Sequence, residues 1–292
     1  MNTEIRTISG FDARVLRNDY VEVVVVPALG AKIISLKDLR TGREWMWHPA
    51  AGLKLFANHP DDDFSLSPLT GIDECLPTIM PCTWQDRRLP DHGEVWSAAW
   101  QVDESAWARG ILTTRVGLLV SPFEFERSLE LSGNKIDFVY RLKNLSTTPE
   151  PYIWALHPLL ALQEGDQLEL PESTHQLLAD GKANWRGPLN AAVPENDCVK
   201  TFAAPVQEAR ASIINIPRGE RLQLNWNARE NHALGLWLTR GAWHGHHHFA
   251  MEPTNAAANS LPEAVTLNQA GLVPSQGTTT WYLSIQVGAP VK

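Results

Sequence analysis

Phe123-Glu-Phe-Glu-Arg-Ser-Leu-Glu-Leu131, the turn Ser132-Gly133-Asn134, and Lys135-Ile-Asp-Phe-Val-Tyr-Arg-Leu-Lys143 decide the fold class. Phe123, Phe125, Arg127, Leu129 and Leu131 occupy alternate positions and share one side of an extended chain. A period of two marks a strand with one buried face. A short Gly-containing connection between two such runs marks a hairpin. The same signal recurs outward from this pair. Tyr20–Val26 and Ala31–Leu36 read as a second hairpin, separated by Pro27 and Gly30. Further strand candidates are Trp96–Val102, Ile111–Val120, Tyr152–Leu156, Arg210–Ile216, Arg221–Trp226, Ala233–Thr239, His246–Met251 and Thr280–Val287. No window carries a long, capped helical period. Roughly a dozen strands with short turns predict an all-β chain, a large antiparallel β-sandwich. No repeat, low-complexity tract or linker divides the sequence, so residues 1–292 are read as a single β-sandwich domain. Pro171–Pro205 and Asn58–Arg88 read as irregular excursions between strands, and long loops of this kind often serve sites.

Composition bounds the function classes. The 292 residues carry 25 Lys+Arg against 33 Asp+Glu, a net charge of −8, and 43% are hydrophobic. That apolar fraction supports a sizeable core. The acidic balance and the lack of Lys/Arg runs argue against nucleic acid and anionic membranes as partners. No apolar stretch is long enough for a membrane span. The opening Met1-Asn-Thr-Glu-Ile-Arg6 lacks the basic start and apolar core of a signal peptide, and three cysteines are too few for a disulfide framework. A reduced, cytoplasmic protein is therefore expected. Twelve Trp against four Tyr is the unusual feature of the composition. Core packing accounts for most of them, and the faces of a few suit stacking on a sugar.

Three titratable residues sit in positions that suggest chemistry. His92 lies in the turn Leu89-Pro-Asp-His-Gly-Glu-Val-Trp96. His157 and Glu252 each follow an apolar run and precede a proline, as Ala155-Leu-His157-Pro158 and Ala250-Met-Glu252-Pro253. Proline cannot donate to a ladder, so both residues are expected at strand ends, projecting into a cleft. A turn histidine, a satisfied core histidine and a surface ion pair are the plain alternatives for the three. A carboxylate after Phe249-Ala-Met251 is the hardest to explain without a partner. The run His244-Gly-His-His-His248 invites a metal reading. In a strand His246 and His248 would share a face ~6.6 Å apart, but no third ligand lies nearby in sequence. No metal is therefore assigned, and His246 and His248 are read as lining the same concave face as Glu252, touching a ligand. Neither a nucleophile elbow nor a phosphate-binding glycine loop is present.

Taken in order, these segments resemble the galactose mutarotase-like family, the aldose 1-epimerases and their relatives. Val26-Pro-Ala-Leu-Gly-Ala31 resembles the opening hairpin, Thr70-Gly-Ile-Asp-Glu-Cys-Leu-Pro77 an early segment, and Pro90-Asp-His-Gly-Glu-Val-Trp96 the motif of the first active-site histidine. Asp137–Asn144 followed by His157-Pro158 resembles the strand pair ending in the second histidine, and Met251-Glu-Pro-Thr254 the strand of the general base. Gly271-Leu-Val-Pro274 resembles the closing segment. The likeness runs from about Val21 to Val287.

The resemblance implies a β-supersandwich and a mutarotase that interconverts the α and β anomers of a sugar or sugar phosphate. It implies Glu252 as base, His157 as acid and His92 as the residue that orients or polarises the sugar oxygens. It requires no cofactor. Mutual attraction would keep Glu252 ionised and His157 protonated together. The family's Asn-Arg sugar contact is replaced by Gly71-Ile-Asp73-Glu74, so Asp73, Arg87 and Arg88 are the candidate substitutes, with Asp197 as a further hydroxyl-binding candidate. A non-catalytic carbohydrate-binding protein and a metal enzyme built on the histidine run are the rival readings.

Overall fold

The computed structural model describes residues 2–178 and 182–290. Two antiparallel sheets stack face to face. The larger has nine strands, in spatial order Asn2–Ile8, Phe11–Arg17, Val21–Val26, Lys32–Asp38, Gly71–Cys75, Ala155–Leu159, His247–Thr254, Ala233–Arg240 and Cys198–Ala203. The smaller has eight, in order Gln167–Glu169, Arg210–Asn215, Glu220–Trp226, Thr278–Gly288, Lys135–Asn144, Phe123–Ser132, Leu112–Gly117 and Gln101–Val102. Two short hairpins stand apart: Glu150–Tyr152 with Gly271–Val273, and Cys82–Trp84 with Arg87–Leu89. Helices are confined to brief turns such as Leu261–Thr266. No helix of the described residues is long and apolar enough to cross a membrane.

The alternation at 123–131 places Phe123, Phe125, Leu129 and Leu131 in the core between the sheets. Apolar side chains of both sheets interdigitate there, as sandwich packing requires. Tyr140 and Trp281 stack at 5.4 Å, and Trp154 packs against both. Arg127, on the same inward face, is also buried and pairs with Glu74.

Several expected boundaries move. Only Gln101–Val102 of Trp96–Val102 forms a strand, because the chain before it is spent on turns that bring Trp96 Nε1 to the Asp91 carbonyl at 2.7 Å. Tyr152–Leu156 is split by Ile153 and Trp154 between the strands Glu150–Tyr152 and Ala155–Leu159. The first two strands, Asn2–Ile8 and Phe11–Arg17, were not expected: the first is exposed along nearly all its length, and the second carries a short alternation of Phe11, Ala13 and Val15 between Asp12 and Arg14. Cys198–Ala203 lies inside the expected excursion Pro171–Pro205, of which 179–181 fall outside the described residues.

The prolines act differently from the expectation. His157 is central in its strand and Glu252 is followed by two more strand residues, so neither ends a strand. The two strands pair at Ala155–Thr254 and bridge again at Leu160–Phe249. The same register sets His157 directly across from Glu252. Pro158 and Pro253 have no N–H, so the rungs between the two closed points lose donors from both sides. The sheet is open along its middle at the position of the two titratable residues.

Candidate functional site

Leu156 and Met251 point into the inter-sheet core, so alternation turns His157 and Glu252 to the opposite face. One row of side chains crosses that face. Lys32 pairs with Asp73, Asp73 lies across from His157, His157 across from Glu252, and Glu252 across from Gly235. Gly235 is required by this crowding. A Cβ there would sit 3.0 Å from Glu252 Oε2 and 3.2 Å from its Cβ. Loops roof the row and leave a cavity of about 340 Å³, whose walls include Phe64, His92, His157, Lys200, Trp237, Trp243, His248 and Glu252.

His92 is held from several sides. Its φ is 56°, a left-handed conformation that costs strain in a non-glycine residue. The following Gly93 is the only residue type that fits, since a Cβ would meet the Leu76 carbonyl oxygen at 2.1 Å. The His92 amide donates to Ile79 at 2.6 Å, its Nδ1 lies 2.9 Å from Asp91 Oδ1, and its ring stacks on Phe64 at 4.0 Å. Asp91 also accepts from the Phe64 amide at 3.0 Å. Burial works against its charge, but the His92 contact prevails and holds the Asp91 carboxyl below its ordinary value. The His92 ring stands 5.0 Å from that of His157, edge to face.

Glu252 is 1% exposed, and neither carboxylate oxygen has a hydrogen-bond partner within the protein. His157 Nε2 is 3.8 Å from Oε1, and Lys200 Nζ is 3.8 Å from Oε2. Both distances exceed a hydrogen bond. His157 Nδ1 and both ring nitrogens of His248 are likewise buried without partners. A buried polar group left unpaired costs free energy, so a cavity lined by several is arranged for a polar ligand. His157 departs from the protonated state expected of it. Burial first, and then the charges of His92 and Lys200, pull its pKa well below the ordinary value, so desolvation outweighs attraction to Glu252 and the imidazole is neutral at pH 7. The pKa of His248 falls to about 3, again mainly by burial.

The other sequence candidates scatter. His248 shares the cavity with Glu252, as strand alternation requires. His246 precedes the strand, in a turn, and lines an adjoining pocket with Lys54 and His244. His247 points outward to Glu195, with Nε2 to Oε1 at 2.8 Å. Asp73 is buried within the row, where Oδ2 accepts from Lys32 Nζ at 2.6 Å; it does not line the cavity. Arg87 is engaged by Glu150 at 2.7 Å, and Arg88 is exposed on the same outlying hairpin. Asp197 is exposed and caps the Cys198 amide at 2.7 Å. Neither arginine nor Asp197 reaches the cavity wall. Lys200, Phe64, Asp91, Trp237 and Trp243 escaped the sequence reading. The alternation Val199-Lys-Thr-Phe202 was the available signal for Lys200, hidden in a segment whose Pro and Gly content reads as loop. Among the described residues no group of three or more His, Cys, Asp or Glu is placed to hold a metal ion.

No family model matches the sequence, and no curated protein matches it. Solved structures do match. The Slr1438 protein of Synechocystis sp. PCC 6803 is 18% identical, with 99% of this chain and 100% of that chain covered and a TM-score of 0.74. A galactose mutarotase-like protein from Clostridium acetobutylicum is 14% identical over 99% and 98% of the two chains, with a TM-score of 0.71. A galactose mutarotase related enzyme from Lactobacillus acidophilus is 14% identical over 96% and 100%, with a TM-score of 0.67. Chains this alike over their whole length and this different in sequence share an architecture. The protein has the galactose mutarotase-like fold.

Proposed function

We propose that the protein is an aldose 1-epimerase-like isomerase, a mutarotase, acting as one unit over residues 1–292 on a small carbohydrate. The observation that carries this reading is Glu252: a buried carboxylate with both oxygens free, set against two imidazoles in a cavity that has tryptophan walls. The names of solved structures with the same fold point to the same activity.

Mutarotation requires proton removal from the anomeric hydroxyl and proton delivery to the ring oxygen. Glu252 takes the anomeric proton. The C1–O1 double bond forms as the bond from C1 to the ring oxygen breaks, and the ring oxygen takes a proton from an acid. The open chain turns about C1–C2 and recloses, with each group returning its proton. His157 is neutral in the free protein, which makes it a hydrogen-bond donor or acceptor rather than a strong acid. The acid role therefore moves to His92. Asp91 orients its ring and stabilises positive charge there when the ring carries a second proton, the part a carboxylate plays toward a catalytic imidazole. His157, between His92 and Glu252, holds the sugar oxygens in line. A binding-only protein would need hydroxyl acceptors and donors but not a base and an acid placed about one cavity. The experiment is anomer exchange measured by polarimetry or NMR over a panel of free aldoses and sugar phosphates. Acceleration of at least one of them above the spontaneous rate supports the reading. No acceleration of any, with sugar binding retained, makes the protein a lectin-like binder.

A further inference from the structure

The Glu252 carboxylate has two sides, and His157 occupies only one of them. On the other stands Lys200, a half-buried side chain on the edge strand Cys198–Ala203, with Nζ 3.8 Å from Oε2. The other cations near the row are committed: Lys32 to Asp73 and Arg127 to Glu74. Resting on the reading above, we propose that Lys200 is a specificity-determining residue, which together with Glu252 Oε2 binds the hydroxyl on C2 and so selects aldoses that carry one.

Two gaps of equal length carry the argument. His157 Nε2 to Oε1 and Lys200 Nζ to Oε2 are each 3.8 Å, too long to be hydrogen bonds and short enough for one oxygen to bond both ends. The ligand therefore presents two neighbouring oxygens to the two carboxylate oxygens. One is the anomeric hydroxyl, which loses its proton to Glu252. The atoms beside it on the sugar are the ring oxygen and the C2 hydroxyl. An ionised carboxylate only accepts, and the ring oxygen has no proton to give, so the ring oxygen cannot sit on Oε2. The C2 hydroxyl can: it donates to Oε2 and accepts from the Lys200 ammonium. The ring oxygen then faces the imidazoles on the other side, where donors are available. The ammonium lies 5.6 Å from the Phe202 ring, a contact that steadies it at the cavity edge.

The test compares glucose with 2-deoxyglucose as substrates of the parent, Lys200→Met and Lys200→Arg, by NMR anomer exchange and by direct binding. Losing a hydrogen bond to a charged group costs roughly ten- to a hundred-fold in kcat/KM. The parent is expected to prefer glucose by that ratio. Lys200→Met should lose that factor on glucose and little on 2-deoxyglucose, removing the preference, while Lys200→Arg restores part of it. Equal losses on both sugars, or none on either, would overturn the C2 assignment and leave the mutarotase reading standing. A parent that exchanges and binds neither sugar nor any other aldose of the panel would overturn both.

Discussion

Glu74 and Glu252 are both carboxylates on inner strands of the nine-stranded sheet, at 0% and 1% exposure, and the protein treats them in opposite ways. Glu74 faces the inter-sheet core and is met on every side. Arg127 Nη1 donates to Oε1 at 3.0 Å, the Tyr140 hydroxyl at 3.0 Å, and Trp154 Nε1 to Oε2 at 2.7 Å. Burial raises its pKa, and Arg127 works against that rise. Glu252 faces the other way and is met by nothing within hydrogen-bond distance. Burial alone therefore does not identify a functional acid. The saturated carboxylate ties the sheets together, and the unsaturated one keeps both oxygens without a hydrogen bond from the protein.

Substituting each carboxylate breaks the contrast in a different observable. Glu252→Gln keeps the shape and removes the base, so anomer exchange should fall by about 10²- to 10⁴-fold. Its melting temperature should stay close to that of the parent, because the carboxylate makes no hydrogen bond within the protein that the amide would lose. A variant that exchanges anomers like the parent would remove Glu252 from the mechanism. Glu74→Leu should do the reverse. It leaves Arg127 buried without its counter-charge, at about 3–5 kcal/mol of stability by chemical denaturation. Exchange per folded molecule should change little. A large loss of activity with full stability would show that Glu74 also serves the site.

Gly235→Ala sharpens the contrast further. The new Cβ presses on the Glu252 carboxylate at 3.0 Å and cannot press on Glu74, which faces the other side of the sheet. Overpacking of this kind costs about 1–3 kcal/mol. A carboxylate pushed out of line should lose about tenfold or more in rate. Paired melting and exchange measurements separate the two effects, and a drop in stability with an unchanged rate would mean that the carboxylate is free to shift without loss.

How much of this was legible follows the physics of each segment. Alternation exposed the strands with one wet and one dry face, and the hairpin at 123–143 is the clearest of them. It failed for Asn2–Ile8, exposed at every position but Ile8, and for Gly71–Cys75, buried on both faces. His92, His157 and Glu252 were legible because each breaks a local rule of composition. The prolines after His157 and Glu252 have a different consequence from the one expected: on two facing strands they do not end the strands but open the ladder between them. Arg87, Arg88 and Asp197 were candidates by proximity along the chain, and the outlying hairpin and strand edge that hold them are long-range features no local pattern encodes. The neutral state of His157 was also out of reach, since it depends on how completely the roof excludes water.

The smallest expected effect concerns the acid limb of stability. His248 is buried with both nitrogens unpartnered, its ring packed on Trp47 at 5.1 Å, and its pKa falls from an ordinary 6.5 to about 3. Below pH 6.5 the unfolded chain takes up a proton at this position and the folded protein does not. Its contribution to stability is present in full above 6.5 and is lost progressively as pH falls toward 3. The slope is about 1.4 kcal/mol for each pH unit in that window. His157, also pulled down by burial, adds a loss of the same sign. His248→Phe removes one titration and keeps an aromatic ring against Trp47. Denaturant unfolding of the parent and the variant at pH 7 and pH 5 should show the variant losing about 2 kcal/mol less between the two conditions. Parallel losses would mean that His248 takes up its proton in the folded protein. The cavity that holds Glu252 would then be wetter than its geometry indicates, and the contrast with Glu74 correspondingly weaker.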